Sequence, residues 1–341
     1  MRLRSCHTVL GALCLGSLSL GSLSLGCGPD MGMNETEEPA EALATHEAEA
    51  VSTAGITPHF SQWLSANGYS AYDFARKDLA GGSYGGKSSA SDTVVNQPVI
   101  FIHGNSDKAI GTGTAGQTGW NASIEYFQSK GYKTSELYAM TWGPASALLS
   151  AQQYHSKTHV MQVRKFIEAV KAYTGASKVD IITHSMGVTL ARKAILGGTA
   201  TDALEGGQYT VGSSLTASVD TFVGIAGANL GLTNCYTAGA TTPTCGATNG
   251  LFPGSWAGAG PSNYLKNLQS SQGYEGAYRY ALYSTADEVV GYGGIVYGAY
   301  TSRIPGQTGE KVYSAYPYGH FNSKDLTGEV QFNMVKNHLI P

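Results

Sequence analysis

The sequence predicts an α/β fold with a mostly parallel central sheet and helices on both faces. Three observations carry this expectation. Short apolar runs recur from about Gly55 onward, separated by longer segments. One of those segments, residues 156–174, repeats its apolar residues at helical spacing. And "VDIITHSMGVTLARKAI", residues 179–195, reads as strand, sharp turn and helix without a break. Apolar strands of four to six residues that alternate with helices pack as a parallel sheet buried on both faces. In such sheets, sites form beyond the carboxyl ends of the strands. That rule selects which polar residues matter.

In chain order, residues 1–26 read as a secretory signal. Arg2 and Arg4 give a positive start, and residues 8–26 are rich in Leu, Gly and Ser and free of charge. A retained membrane anchor is the alternative, although so much Gly and Ser makes a weak spanning helix. The segment ends in Ser24-Leu25-Gly26-Cys27, which resembles a bacterial lipoprotein signal. The preferred pattern has Leu where Ser24 stands. Lipidation of Cys27 is therefore expected, with simple secretion as the alternative. Residues 27–55 form an acidic tether: Asp30, Glu35, Glu37, Glu38, Glu41, Glu47 and Glu49 occur there without Lys or Arg. Residues 56–341 form the folded domain.

Within that domain, a short helix is expected around Phe60–Ala66, then a Gly/Ser-rich loop to about residue 90. Strands are expected at Val99–Ile102, Leu137–Trp142, Val179–Ile182, Val219–Ile225 and Tyr280–Tyr283, with Lys311–Ser314 a further candidate. In 156–174, Val160, Val163, Phe166, Ile167, Val170 and Tyr173 share one helix face, and Gly175 ends it. Val188, Leu190, Ala191, Ala194 and Ile195 form a second helix that Gly197-Gly198 closes. A terminal helix is expected over 325–339.

Of 341 residues, 42% are apolar and only 13% charged, enough for one large domain and poor in the charge a cytosolic chain carries. No basic cluster is present, which argues against nucleic acid as a partner. Past the acidic tether, basic and acidic residues nearly balance, so net charge steers nothing. Cys6 and Cys14 leave with the signal. Cys235 and Cys245 are close enough in sequence to pair in an oxidising compartment, and lipidation would remove the odd thiol of Cys27.

Ser185 follows directly on a strand and precedes a helix, the order of a nucleophile elbow. The usual form is Gly-x-Ser-x-Gly, and here Thr183 replaces the first glycine while Gly187 keeps the second. The plainer reading is a serine that caps a helix. A triad in this order needs an acid and then a histidine downstream. His320 lies in "YPYGHFNS", a loop between a strand candidate and the terminal helix, where an imidazole base is needed. His338 falls in the terminal helix and suits a surface or packing role. Asp287 and Glu288 lie in "YSTADEVVG" at the carboxyl end of a strand, and Asp287 is preferred, with Glu288 second. Asp202 and Glu205 fall in the loop after the nucleophile helix, and Asp220 stands at the wrong end of its strand. The oxyanion donors are the N–H of Met186, next after the serine, and that of Asn105 in "PVIFIHGNSD". His103 braces that loop. His155 and His159 are spaced as zinc ligands could be, but the sequence lacks an intervening Glu and a solvated face is the better reading. No metal and no cofactor are expected.

With those residues in hand, residues 97–341 resemble an α/β-hydrolase of the secreted lipase class. "PVIFIHGN", "YHSKTHVMQVRKFIEAVKAYTGASKVDIITHSMGV" and "GHFNSK" most resemble the extracellular poly(3-hydroxybutyrate) depolymerases that attack native granules. Those enzymes carry Ala-His-Ser-Met-Gly at the elbow, so a first residue other than Gly is in keeping. "GLTNCYT" and "PTC" resemble their cysteine pair, which supports a Cys235–Cys245 bridge. Over 250–310 the chain departs from the depolymerases, and "STADEVVGYG" is closer to class 2 lipases. The resemblance implies ester hydrolysis through an acyl-enzyme, with Ser185, His320 and Asp287 as the triad and a hydrophobic ester as substrate, polyester or triacylglycerol. It implies an extracellular or outer-membrane-anchored protein, attached through lipidated Cys27. A surface lipoprotein that only binds polymer is the competing class. Leu251, Phe252, Trp256 and Tyr264, and the ten tyrosines of 274–318, suit either docking on an ester surface or internal packing.

Overall fold

Every strand expected from an apolar run is present, and the runs that are apolar without interruption have both faces covered. The computed structural model describes residues 55–341, apart from Trp256 and the side chain of Tyr292. The signal, Cys27 and the tether up to residue 54 lie outside the described residues, as does Trp256. The strands are β1 (Gly55–Ile56), β2 (Ser83–Gly85), β3 (Val99–Ile102), β4 (Leu137–Met140), β5 (Val179–His184), β6 (Gly198–Asp202), β7 (Gly207–Gly212), β8 (Val219–Ile225), β9 (Tyr278–Ser284), β10 (Ile295–Val296), β11 (Ala299–Tyr300) and β12 (Gly309–Tyr313). The helices are α1 (Pro58–Ala66), α2 (Asn121–Ser129), α3 (Lys157–Thr174), α4 (Met186–Leu196), α5 (Cys235–Ala238), α6 (Asn263–Gln269), α7 (Asn322–Asp325) and α8 (Gly328–Asn337).

Eight strands form one sheet in the order β1-β2-β4-β3-β5-β8-β9-β12. β2 is antiparallel to β4 and parallel to β1, so these two edge strands oppose the other six, which are parallel throughout. Strand pleating sends alternate residues to opposite faces. Ile100, Ile102, Tyr138, Met140, Val179 and Ile181 join the core beneath α1, α3 and α4. Val99, Phe101, Leu137, Ala139, Ile182 and Val223 join the core beneath α2 and α8. Helices therefore cover both faces, as expected, and the fold is that of an α/β-hydrolase.

Helix α3 shows why the local reading succeeds. The Ser156 side chain accepts the N–H of His159, and Gly175 takes the left-handed conformation that ends the helix. The differences are short or polar elements. The Gly/Ser-rich loop contains β2. The loop assigned after α4 is a β6–β7 hairpin, and Asp202 at its bend accepts the N–H groups of Lys157, Leu204 and Glu205. The terminal helix expected over 325–339 is the shorter α8, with α7 a separate turn of helix before it, and His338, expected within the helix, lies just beyond α8 in a left-handed conformation, stacked on Tyr278 and bonded to Asp220. Cys235 and Cys245 form a disulfide.

Candidate active site

The turn after β5 holds Ser185 at φ 53°, ψ −127°, a strained conformation for a residue other than glycine. The strain is fixed from below: the Ser185 N–H donates to Ile225 O at 2.9 Å in β8. Glycine is required at two neighbouring points. A Cβ on Gly187 would lie 2.3 Å from His103 O and 2.6 Å from Ile102 O, and one on Gly104 would lie 2.8 Å from Ser185 Cβ. The loop after β3 thus presses directly on the elbow. Thr183 is buried within β5, and its hydroxyl donates to Val223 O at 2.9 Å.

Asp287 and His320 come together beyond β9 and β12. His320 Nδ1–H donates to Asp287 Oδ2 at 2.7 Å, and both side chains are buried. The other Asp287 oxygen accepts the N–H groups of Val289 and Val290, at 2.8 and 2.9 Å. With Nδ1 carrying a proton, His320 Nε2 is left with its lone pair. Glu288 Oε2 accepts the backbone N–H of His320 at 2.9 Å, so the second acid candidate holds the histidine's main chain and not its ring.

Ser185, His184 and His320 line one cavity of about 460 Å³ with Gly104, Asn105 and Gln117. Neither Asn105 N–H nor Met186 N–H has an acceptor among the described residues. His103 is fully buried, and burial pushes its pKa down to about 3. It stacks on Trp142, accepts that residue's backbone N–H at Nε2 and donates from Nδ1 to Gly104 O. It braces the loop, as its position suggests.

Sequence reasoning passed over His184. Burial, and then the neighbouring His320, hold its pKa well below the usual value. The neutral ring donates from Nε2 to His320 O at 3.1 Å. Its adjacency to Ser185 was the available signal.

One expectation needs correction. His155 and His159 do not form a solvated face. His155 is buried, stacked on Tyr264 and bonded to Thr189 and to Asn249 O, while His159 packs on Trp142. Among the described residues, no group of three or more His, Cys, Asp or Glu side chains is placed to hold a metal ion. Of the two readings open for the aromatic segments, packing holds where side chains are buried, at Leu251, Phe252, Tyr264, Tyr274, Tyr280 and Tyr283.

Against known proteins, the family described as Lipase (class 2) matches residues 96–333. The chain belongs to the class 2 lipase family. That span holds every site residue named above. No curated protein matches this chain. Among solved structures it is similar to Aspergillus fumigatus lipase B (16% identity, TM-score 0.42), with 71% of this chain aligned to 50% of that one, so it spans about half that lipase's length. It is also similar to the mature form of a Bacillus licheniformis lipase (14% identity, TM-score 0.43; 74% and 96% covered). A further likeness is to the metagenome-derived lipolytic enzymes LipS and LipT (12% identity, TM-score 0.45; 75% and 96% covered).

Proposed function

We propose that this chain is a secreted serine carboxylester hydrolase with Ser185, His320 and Asp287 as its triad. The observation that carries the reading is the hydrogen bond to Asp287 from His320, which lines one cavity with the strained Ser185. Ser185 Oγ attacks the ester carbonyl carbon as His320 Nε2 takes its proton. The oxyanion is held by the N–H groups of Asn105 and Met186, which have no acceptor among the described residues. Asp287 fixes the Nδ1–H tautomer and stabilises the imidazolium, which returns its proton to the leaving alcohol. Water then repeats the sequence on the acyl-enzyme and releases the acid.

The cavity lining supports a short acyl unit. Thr114, Ala115, Gly116, Ser146, Ala147 and Ser150 are small or polar, and Val289 and Phe321 are its large apolar members. A long hydrocarbon chain needs a continuous apolar channel. Short esters and amorphous poly(3-hydroxybutyrate), with an ester at every short repeat, fit this lining better than long-chain triacylglycerol. The test is a panel of short p-nitrophenyl esters, a long-chain triacylglycerol and amorphous poly(3-hydroxybutyrate). Highest kcat/KM on the triacylglycerol would overturn the substrate assignment. A fluorophosphonate probe should label the wild type and fail on Ser185→Ala. Labelling or ester hydrolysis that persists in Ser185→Ala overturns the triad, and no activity on any ester returns the chain to a polymer-binding role. Export and attachment through Cys27 belong to the same proposal: mass spectrometry should find a lipid-modified Cys27 at the mature N-terminus, and an unmodified one means simple secretion.

A further inference from the structure

Two loops must keep register for the proposed chemistry: the one after β3 that offers Asn105 N–H, and the one after β12 that carries His320. His184 ties the second to the elbow. The first is tied to it by a buried cation.

Lys324 sits four residues after His320, in the short helix α7, with no exposed surface. Its ammonium donates to Thr118 Oγ1 at 2.9 Å, to Gly119 O and to Asp325 Oδ1 at 2.5 Å, and it stands 5.3 Å from the centre of the Trp120 ring. Asp107 Oδ2 is 3.8 Å away. Asp107 is itself buried, and its Oδ1 accepts the N–H groups of Lys108 and Gly119, at 2.9 and 3.0 Å. Its Oδ2 has no hydrogen-bond partner, so the ammonium is what offsets its charge. The Asp107 backbone N–H donates to Gly104 O at 3.3 Å, closing the turn in which Asn105 lies. A shift of Asp107 is therefore a shift of Asn105.

We propose that Lys324 is a positioning residue for ester hydrolysis, a buried ammonium between Asp107 and Asp325 that locks the oxyanion loop to the segment bearing His320. Stability alone does not account for it. Removing two charges from water is costly, and apolar residues of similar volume commonly serve as well or better. What an apolar replacement cannot do is anchor a carboxylate that organises the Gly104–Asp107 turn and, with its partner, hold it against α7. Placement errors of about an ångström at such a distance from the chemistry cost about 100-fold in rate.

The arrangement also sets a sign. The charged and titratable groups around His320 are Asp287, Glu288 and His184, and those around the ammonium are Asp107 and Asp325, with the buried rings of His103 and His184 within reach of its charge. Deleting the ammonium leaves two uncompensated carboxylates behind the site, which favours the imidazolium of His320. Neutralising Asp107 removes one of the two carboxylates and leaves the ammonium balanced by Asp325 alone, a change toward positive that disfavours it.

The inference rests on the triad reading, and the experiment separates the two. Full-length exported protein, wild type and the variants Lys324→Met and Asp107→Asn, is assayed on p-nitrophenyl butyrate from pH 4 to 9. Circular dichroism and thermal melts check the fold. Lys324→Met is expected to lower kcat by about 100-fold with KM within about threefold of wild type. Its acidic limb of kcat/KM should move to higher pH, and that of Asp107→Asn to lower pH. Limbs that stay in place in both variants, or near-wild-type kcat in folded Lys324→Met, overturn the proposal. Should Lys324→Met not fold, the near-isosteric Asp107→Asn decides alone by the direction of its limb. Loss of the triad reading has a different signature, activity that survives Ser185→Ala.

Discussion

Replacing Asp287 by Asn tests the site at its most constrained point. One carboxylate oxygen accepts two backbone N–H groups, from Val289 and the fully buried Val290, and the other accepts His320 Nδ1–H. An amide cannot do both. If its oxygen faces the two N–H groups, its NH2 faces His320 Nδ1, and the ring must move its proton to Nε2. That tautomer cannot accept the Ser185 proton. If the amide turns over, the NH2 confronts two donors, and each buried donor left unmet costs about 1–3 kcal/mol. The first arrangement wins, and the nucleophile loses its base. For Ser-His-Asp triads generally this costs about 10,000-fold in kcat, or about 5.5 kcal/mol of barrier. The assay is kcat and kcat/KM on p-nitrophenyl butyrate, alongside Glu288→Gln. Gln can still accept the His320 N–H, so Glu288→Gln should stay within about fivefold of wild type. If Asp287→Asn keeps more than about a tenth of the activity, or Glu288→Gln is the more damaging change, the assignment of Asp287 as the triad acid is wrong.

Two further changes probe the frame around the site. Gly187→Ala places a Cβ 2.3 Å from His103 O, so backbone must move at the elbow; we expect loss of most esterase activity and a lower melting temperature, and near-wild-type values would show that the elbow is softer than its geometry implies. Asp180 lies at the opposite end of β5, where burial raises its pKa to about 7 from an ordinary carboxyl value. A raised folded pKa means that the charged carboxylate costs stability, none below about pH 4 and in full above about pH 7. Asp180→Asn keeps an acceptor for the Thr221 N–H and removes the charge. It should raise the melting temperature at pH 8, by up to about 4 kcal/mol of stability at three pK units, with the gain fading toward pH 4 and activity unchanged. A gain that is constant across pH would refute the link.

What the sequence made legible follows burial. β3 begins and ends where its apolar run does, because both faces are covered and each residue in the run is selected for apolarity. Helix α3 was readable to its caps because Ser156 and Gly175 act locally. The turn at Ser185 and the meeting of Asp287 with His320 could be foreseen because chain order and strand ends constrain them. The misses depend on partners far along the chain. β2 is three residues, Ser-Tyr-Gly, held by a close approach in which a Cβ on Gly85 would lie 2.2 Å from Leu137 O. His155 has polar neighbours in sequence, but it is roofed by Tyr264 and bonded to Asn249, 94 residues away. Glu288 and Asp287 are adjacent acids that differ only in which atoms of His320 they meet. Lys324 reads as a surface lysine until Asp107 is placed beside it.

Thr183 raises the question of where the room for the elbow comes from, since the glycine expected there is missing. Thr183 pairs in register with Gly224 on β8. A Cβ on Gly224 would lie 3.0 Å from Ile304 Cδ1 and 3.1 Å from Val188 Cγ1, and Val188 is in the first turn of α4. One on Gly227 would lie 3.0 Å from Val188 Cγ1. The space beneath the start of α4 is therefore kept by glycines on and just after the neighbouring strand, which frees position 183 to carry a branched side chain that bonds Val223 O. Thr183→Ala should keep activity and cost about 1 kcal/mol, the net value of that hydrogen bond. Gly224→Ala should cost about 1–3 kcal/mol by overpacking. If the two positions share one space, the double variant is more stable than the sum of the singles predicts, by at least about 0.5 kcal/mol. Additive denaturation free energies would mean that Thr183 is tolerated for a reason independent of Gly224, and the exchange of one small residue for another across the sheet would be withdrawn.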